Sequence, residues 1–147
     1  MSEQQRRAVT EAAWRLIVLA TLGLAPGWDA LGLLVGGNAA YTSHAYDVLR
    51  ALTPWGMRGY GPLLGLLCVT TVYAYGRWSA GSGTRGYRLL RYCLSLLAGW
   101  YVLWTVGLVG AWYVHWQIYS WGVSKVLLVA VLFLILARTT PPEHARG

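Results

Sequence analysis

The stretch YCLSLLAGWYVLWTVGLVGAWY, from Tyr92 to Tyr113, runs for twenty-two residues without a formal charge. A helix rises about 1.5 Å per residue, so the segment is about 33 Å long, matching a bilayer hydrocarbon core of about 30 Å. In lipid every backbone N–H and C=O must find a partner within the segment, and a helix provides one. The stretch therefore reads as a membrane-spanning helix.

The composition agrees. The 147-residue chain is long enough for one domain, and it is 56% hydrophobic and 12% charged. Soluble domains carry about 25% charged residues. Nine Trp and ten Tyr stand against one Phe, and those two residues favour the membrane–water interface, where one end of the ring is dry and the other wet. The net charge of +7 is distributed in a way that points to membrane topology and not to nucleic acid.

Outward from Tyr92–Tyr113, three further spans are expected. One covers about 61–78, opening at Gly61-Pro62, where proline loses nothing because a first-turn N–H has no helical acceptor. Another covers about 121–137 and ends at Arg138. The first covers about 12–35 and contains Pro26-Gly27. Proline removes a helical hydrogen bond, so either a kinked span runs through it or the helix leaves the membrane there. Glu3 and Glu11 beside Arg6, Arg7 and Arg15 do not suit a signal peptide, so this run is expected to remain as an anchor. Between the first two spans, residues 37–60 form the longest polar connection. Ser43 is suited to cap a short helix over 43–53, with Ala45, Val48, Leu49 and Leu52 on one apolar face lying in the outer interface. Residues 139–147 read as a disordered tail.

Orientation follows from charge. Arg6, Arg7, Arg15, Arg77, Arg85, Arg88, Arg91, Arg138 and Arg146 fall on one side of a four-span arrangement; Arg50, Arg58 and Lys125 fall on the other. The positive-inside rule puts both termini and the 76–91 loop in the cytoplasm of an inner (plasma) membrane. The expected fold is an all-α integral membrane protein: a four-helix bundle, N-in and C-in, anchored by Arg15, Arg77, Arg85, Arg88, Arg91 and Arg138.

Chemically informative residues are few. Asp29 is costly inside a membrane and would serve a pathway or a partner there; on a surface half-helix it would be a cap. Lys125 can snorkel to the outer interface or pair with Asp29 or Asp47. Cys68 and Cys93 read as small core residues at different depths, with no bridge between them. His44, His115 and His144 match no metal or haem spacing, and no nucleophile–base constellation appears. No catalysis, cofactor or metal is expected. Gly61 and Gly65 are spaced for close helix approach. Trp100, Trp104 and Gly107, with Gly110 as a further notch, mark the third span for packing within the bundle or between copies.

The segments SHAYDVLRALTPWGMRGYG (43–61), YAYGRW (73–78) and YRLLRYCLSLLAGWYVLWTVGLVG (87–110) resemble small multi-span, holin-like membrane proteins encoded by bacteriophages of actinobacteria. The resemblance covers about residues 42–137 and implies no catalytic residues. It implies a non-enzymatic protein that self-associates and permeabilises the host membrane. A membrane subunit of a larger assembly, with a protein partner at 37–60, is a second class; a virion membrane component or an immunity factor against further infection would fall in it. A small channel or carrier using Asp29 is a third. The bilayer itself, and a second copy of the chain, are the expected partners.

Overall fold

Ser2 starts the first helix. Its hydroxyl accepts from the Gln5 N–H at 3.3 Å while the Gln5 side chain accepts from the Ser2 N–H at 2.9 Å. This capping box satisfies two donors that the helix end would otherwise leave orphaned. The computed structural model describes residues 2–52, 54–81, 83–115 and 122–139. In it α1 (Glu3–Leu19) passes through a π turn (Ala20–Leu24) into α2 (Ala25–Ala40), so the helix runs on through Pro26 and starts well before residue 12.

The irregularity lies upstream of the proline. Pro26 has no N–H to give to the Leu22 carbonyl, its acceptor in α register. The wide turn shifts the register, and the Ala25 N–H reaches Ala20 instead. The Cys68 thiol, from the neighbouring helix, donates to the Leu22 carbonyl at 3.2 Å and to that of Gly23 at 3.3 Å. Cys68 and Cys93 are both free and buried.

α2 leaves helical geometry at Gly37, where φ is +52°. The connection after α2 then folds back on itself. The Ser43 hydroxyl accepts from the Ala45 N–H at 3.2 Å and caps a 3₁₀ turn (His44–Tyr46), which runs into α3 (Asp47–Ala51). Ala45, Tyr46 and Leu49 are buried against the rest of the protein, while Val48 and Leu52 face outward. The apolar face expected from helical spacing is thus divided: the buried side of this segment is offset toward Tyr46 and leaves Val48 and Leu52 at its outward edge. Asn38 closes the connection by accepting the Met57 N–H at 2.8 Å.

α4 (Tyr60–Ser79) follows, then a turn with Gly81 and Gly83 at positive φ, then α5 (Gly83–His115). α6 (Gly122–Arg138) completes the described chain, and every regular element among the described residues is helical. The helix 83–115 contains the whole stretch 92–113. The expected start of the last span at residue 121 lies outside the described residues, as does the tail beyond residue 139.

α5 is the central element. It packs against α4, α6, α3 and the 44–46 turn, while α4 also packs against α2, and α6 reaches the π turn. α4 runs antiparallel to the first helix: Gly23 lies opposite Val72, Gly27 opposite Cys68, Gly65 opposite Ala30 and Gly61 opposite Leu34. Leu22, Leu33, Leu94, Leu97, Tyr101, Trp104 and Leu132 are essentially inaccessible and form the core. Leu24, Trp28, Leu63, Leu66, Val69, Leu96, Val106, Val126 and Leu127 are more than half exposed. Apolar surface that extensive marks contact with a membrane or another protein. Two helices, Glu3–Ala39 and Gly83–His115, are long and apolar enough to cross a membrane; α4 and α6 do not meet that measure over their described residues.

Candidate functional site

Asp29 sits on α2, one turn beyond Pro26, and is 8% exposed. Three helices converge on it. Lys125 Nζ from α6 lies 2.5 Å from Oδ1 and 2.6 Å from Oδ2. The Tyr101 hydroxyl from α5 donates to Oδ2 at 2.6 Å. Both carboxylate oxygens are therefore met by donors, two of them charge-assisted. The ammonium also lies 4.5 Å from the centroid of the Trp104 ring and 5.6 Å from that of Tyr101. The electron-rich ring faces replace part of the solvation that burial removes. The Asp29 and Lys125 side chains are only 10% and 13% exposed.

This arrangement neutralises itself. A lone buried charge would cost several kcal/mol, whereas a paired and hydrogen-bonded one removes most of that penalty. Among the described residues, Lys125 engages both carboxylate oxygens and Tyr101 one of them. What the cluster can do is fix the register of α2, α5 and α6, because sliding α2 or α6 by a turn would separate the charges and sliding α5 would break the Tyr101 hydrogen bond.

Trp104 ties this cluster to the end of the molecule that carries the 41–59 connection. Tyr41 and Tyr46 meet its ring edge-on, at 6.4 and 5.7 Å between centroids, and each other at 4.8 Å. Gly32 makes room for the Tyr41 hydroxyl, which a Cβ there would touch at 2.6 Å. At that end itself, His44 stacks on His115 at the end of α5, with ring centroids 3.8 Å apart and planes 15° from parallel. His44 Nδ1 lies 3.0 Å from Asp47 Oδ2, and Arg50 binds the other oxygen, Oδ1. The His44 hydrogen bond, and then Arg50, hold the Asp47 carboxyl below the usual carboxylate range.

The remaining residues singled out by sequence divide into two groups. Gly61, Gly65, Trp104 and Gly107 are used inside one molecule. A Cβ on Gly61 would come within 3.0 Å of the Ala30 carbonyl and the Leu34 amide, and one on Gly65 would meet the Ala30 Cβ at 3.8 Å. One on Gly107 would collide with the Ala45 carbonyl. Trp100 packs on Tyr60 at 4.8 Å, between α4 and α5. On this face Trp104, Gly107 and Ala111 are buried within the molecule, and Trp100 is half-buried. Gly110 is different: it is open, as is Gly99.

The basic anchors share one end. Arg138 lies over Trp14 at 4.3 Å, Arg91 donates to the Leu136 carbonyl at 3.3 Å, and Arg15 pairs with Glu11 at 2.6 Å. Arg77 is in the last turn of α4, and Arg85 and Arg88 are in the first turns of α5. The Lys125–Asp29 pair was one of two partners open to Lys125 in sequence. The His44–Asp47–His115 grouping was not visible there at all, since its members come from two distant segments. No protein-family model, curated protein or solved structure matches the chain.

Proposed function

We propose that this is a non-enzymatic, four-span protein of the plasma membrane that acts by self-association, in the manner of a holin. The observation that carries the reading is a stripe on α5. Tyr92, Leu96, Gly99, Leu103, Val106, Gly110 and Tyr113 recur at alternating steps of four and three residues. All are exposed except Leu103, which is half-buried. A 3.5-residue repeat stays on one side of a helix as two helices wind round each other, and small residues at two points let backbones approach closely. Beside the stripe runs a groove of about 520 Å³ between α4 and α5, lined by Leu63, Leu67, Leu96, Gly99 and Trp100.

Both termini and the 76–91 loop face the cytoplasm in this reading, as nine of the twelve cations favour. The protein accumulates, associates through α5 and opens lesions that admit a wall-degrading enzyme. Expression in a bacterium with a membrane-potential dye tests it, alongside particle mass in mild detergent. The native chain should form a uniform oligomer and collapse the potential, and Gly99→Leu with Gly110→Leu should prevent both. A native monomer with undisturbed potential would defeat the proposal.

The outer segment supports a second reading, an interaction subunit, because Val48, Leu52 and Trp55 project outward at 40%, 61% and 77% exposure. A stoichiometric partner that co-purifies with the native chain and is lost on Trp55→Ala would favour it. The carrier reading is weakened by the Tyr101 and Lys125 contacts that occupy Asp29.

A further inference from the structure

We propose that His44, Asp47 and His115 form a transition-metal site that fastens the outer segment to the end of α5. Their nearest ligand atoms all lie within 4.8 Å of one another, and all three residues are exposed. An imidazole, imidazole and carboxylate set suits zinc, nickel or copper and not calcium or magnesium, which prefer oxygen-only shells. Zinc bonds of about 2.0–2.2 Å place the ligands of one ion about 3.3 Å apart. His44 Nδ1 and Asp47 Oδ2 are hydrogen-bonded at 3.0 Å, and an ion between them would replace that bond at a slightly wider spacing. His115, exposed and stacked on His44, would supply the third ligand once its ring turns out of the stack, and water the fourth.

The support beneath the site is rigid, which separates it from a chance surface grouping. Ala45 and Tyr46 are buried, the Ala45 carbonyl abuts Gly107, and Tyr46 packs on Trp104. These contacts fix His44 over the last turn of α5. Arg50 is itself anchored, donating to the Tyr41 carbonyl at 2.7 Å. By holding Asp47 Oδ1 it turns Oδ2 toward the histidines, the orienting role that outer-shell partners play at metal sites.

Zinc titration of the chelator-treated full-length protein in detergent, followed by calorimetry, tests this. One zinc per chain is expected, with His44→Ala and His115→Ala each weakening binding by at least about tenfold. His144→Ala should leave it unchanged. Zinc should raise the melting temperature of the native chain and not that of either variant. His115→Cys keeps a ligand in place, so cobalt should give a thiolate charge-transfer band with it. Absence of that band, zinc binding undiminished in the His44→Ala/His115→Ala double variant, or no binding by the native chain would overturn the proposal.

Discussion

Asp29 shows how one residue's meaning depends on partners far away in sequence. Its position after Pro26-Gly27 suggested a broken helix and an ion path, yet the chain supplies an ammonium and a phenol that consume its charge. Removing one partner strands the other. Asp29→Ala should destabilise the protein by about 3–5 kcal/mol, and Lys125→Ala by a similar amount, while Asp29→Leu with Lys125→Met should recover most of the loss. Unfolding in detergent completes the double-mutant cycle; additive losses would show that the pair is not coupled. Cys68 carries a smaller but similar lesson. It reads as a small core residue, but its S–H also donates to the Leu22 and Gly23 carbonyls at the π turn. Cys68→Ala should cost about 1–3 kcal/mol by orphaning the Leu22 carbonyl, and Cys68→Ser, which keeps a donor, distinctly less. Equal stability of the two variants would remove the thiol from that role. The sequence carried Asp29 and Lys125 as unusual charges in apolar runs. It could not carry their pairing, because Lys125 had Asp47 as an equal candidate at the same end.

At the scale of elements, local pattern was informative wherever one element acts alone. The uncharged run 92–113, the Pro62 start and the Ser43 cap are all written in neighbouring residues. Pattern was less informative where elements meet. Helical spacing put Val48 and Leu52 with Ala45 and Leu49, but packing on α5 buries Ala45, Tyr46 and Leu49, with Tyr46 beside Trp104, and leaves Val48 and Leu52 outward. The glycines of α5 make the same point, since periodicity alone cannot tell which of them meets a neighbour. Gly107 lies against the Ala45 carbonyl, whereas Gly110 meets nothing. Gly107→Ala should therefore push the outer turn from α5 and cost about 1–3 kcal/mol. Gly110→Ala should leave stability unchanged or slightly raised, since Ala is the better helix former. Thermal melts of the two variants would decide it, and a stable Gly107→Ala would place the outer turn elsewhere.

Across the whole molecule, the two ends differ in charge and in construction. At one end Arg138 lies on Trp14 and Arg91 reaches the end of α6, and the α4–α5 turn adds Arg77, Arg85 and Arg88. The opposite end holds the His44–Asp47–His115 group, Arg50 and Arg58. A membrane placed between them would meet the exposed apolar belt of all the long helices, and the basic end would face the cytoplasm. Two helices satisfy length and hydropathy outright. In the four-span reading α4 and α6 cross alongside the helices they pack on, which puts their exposed Leu63, Leu66, Val69, Val126 and Leu127 against lipid. Single cysteines can test this in intact cells without removing the native ones, since Cys68 and Cys93 are only 7% and 5% exposed. Thr42→Cys should react with a membrane-impermeant maleimide from outside, and Ala80→Cys only after lysis. If α4 did not cross, both positions would lie on one side and label together. The reverse pattern would mean that nine cations had been carried outward against the bias that orients such proteins, and the four-span reading would survive with its direction inverted.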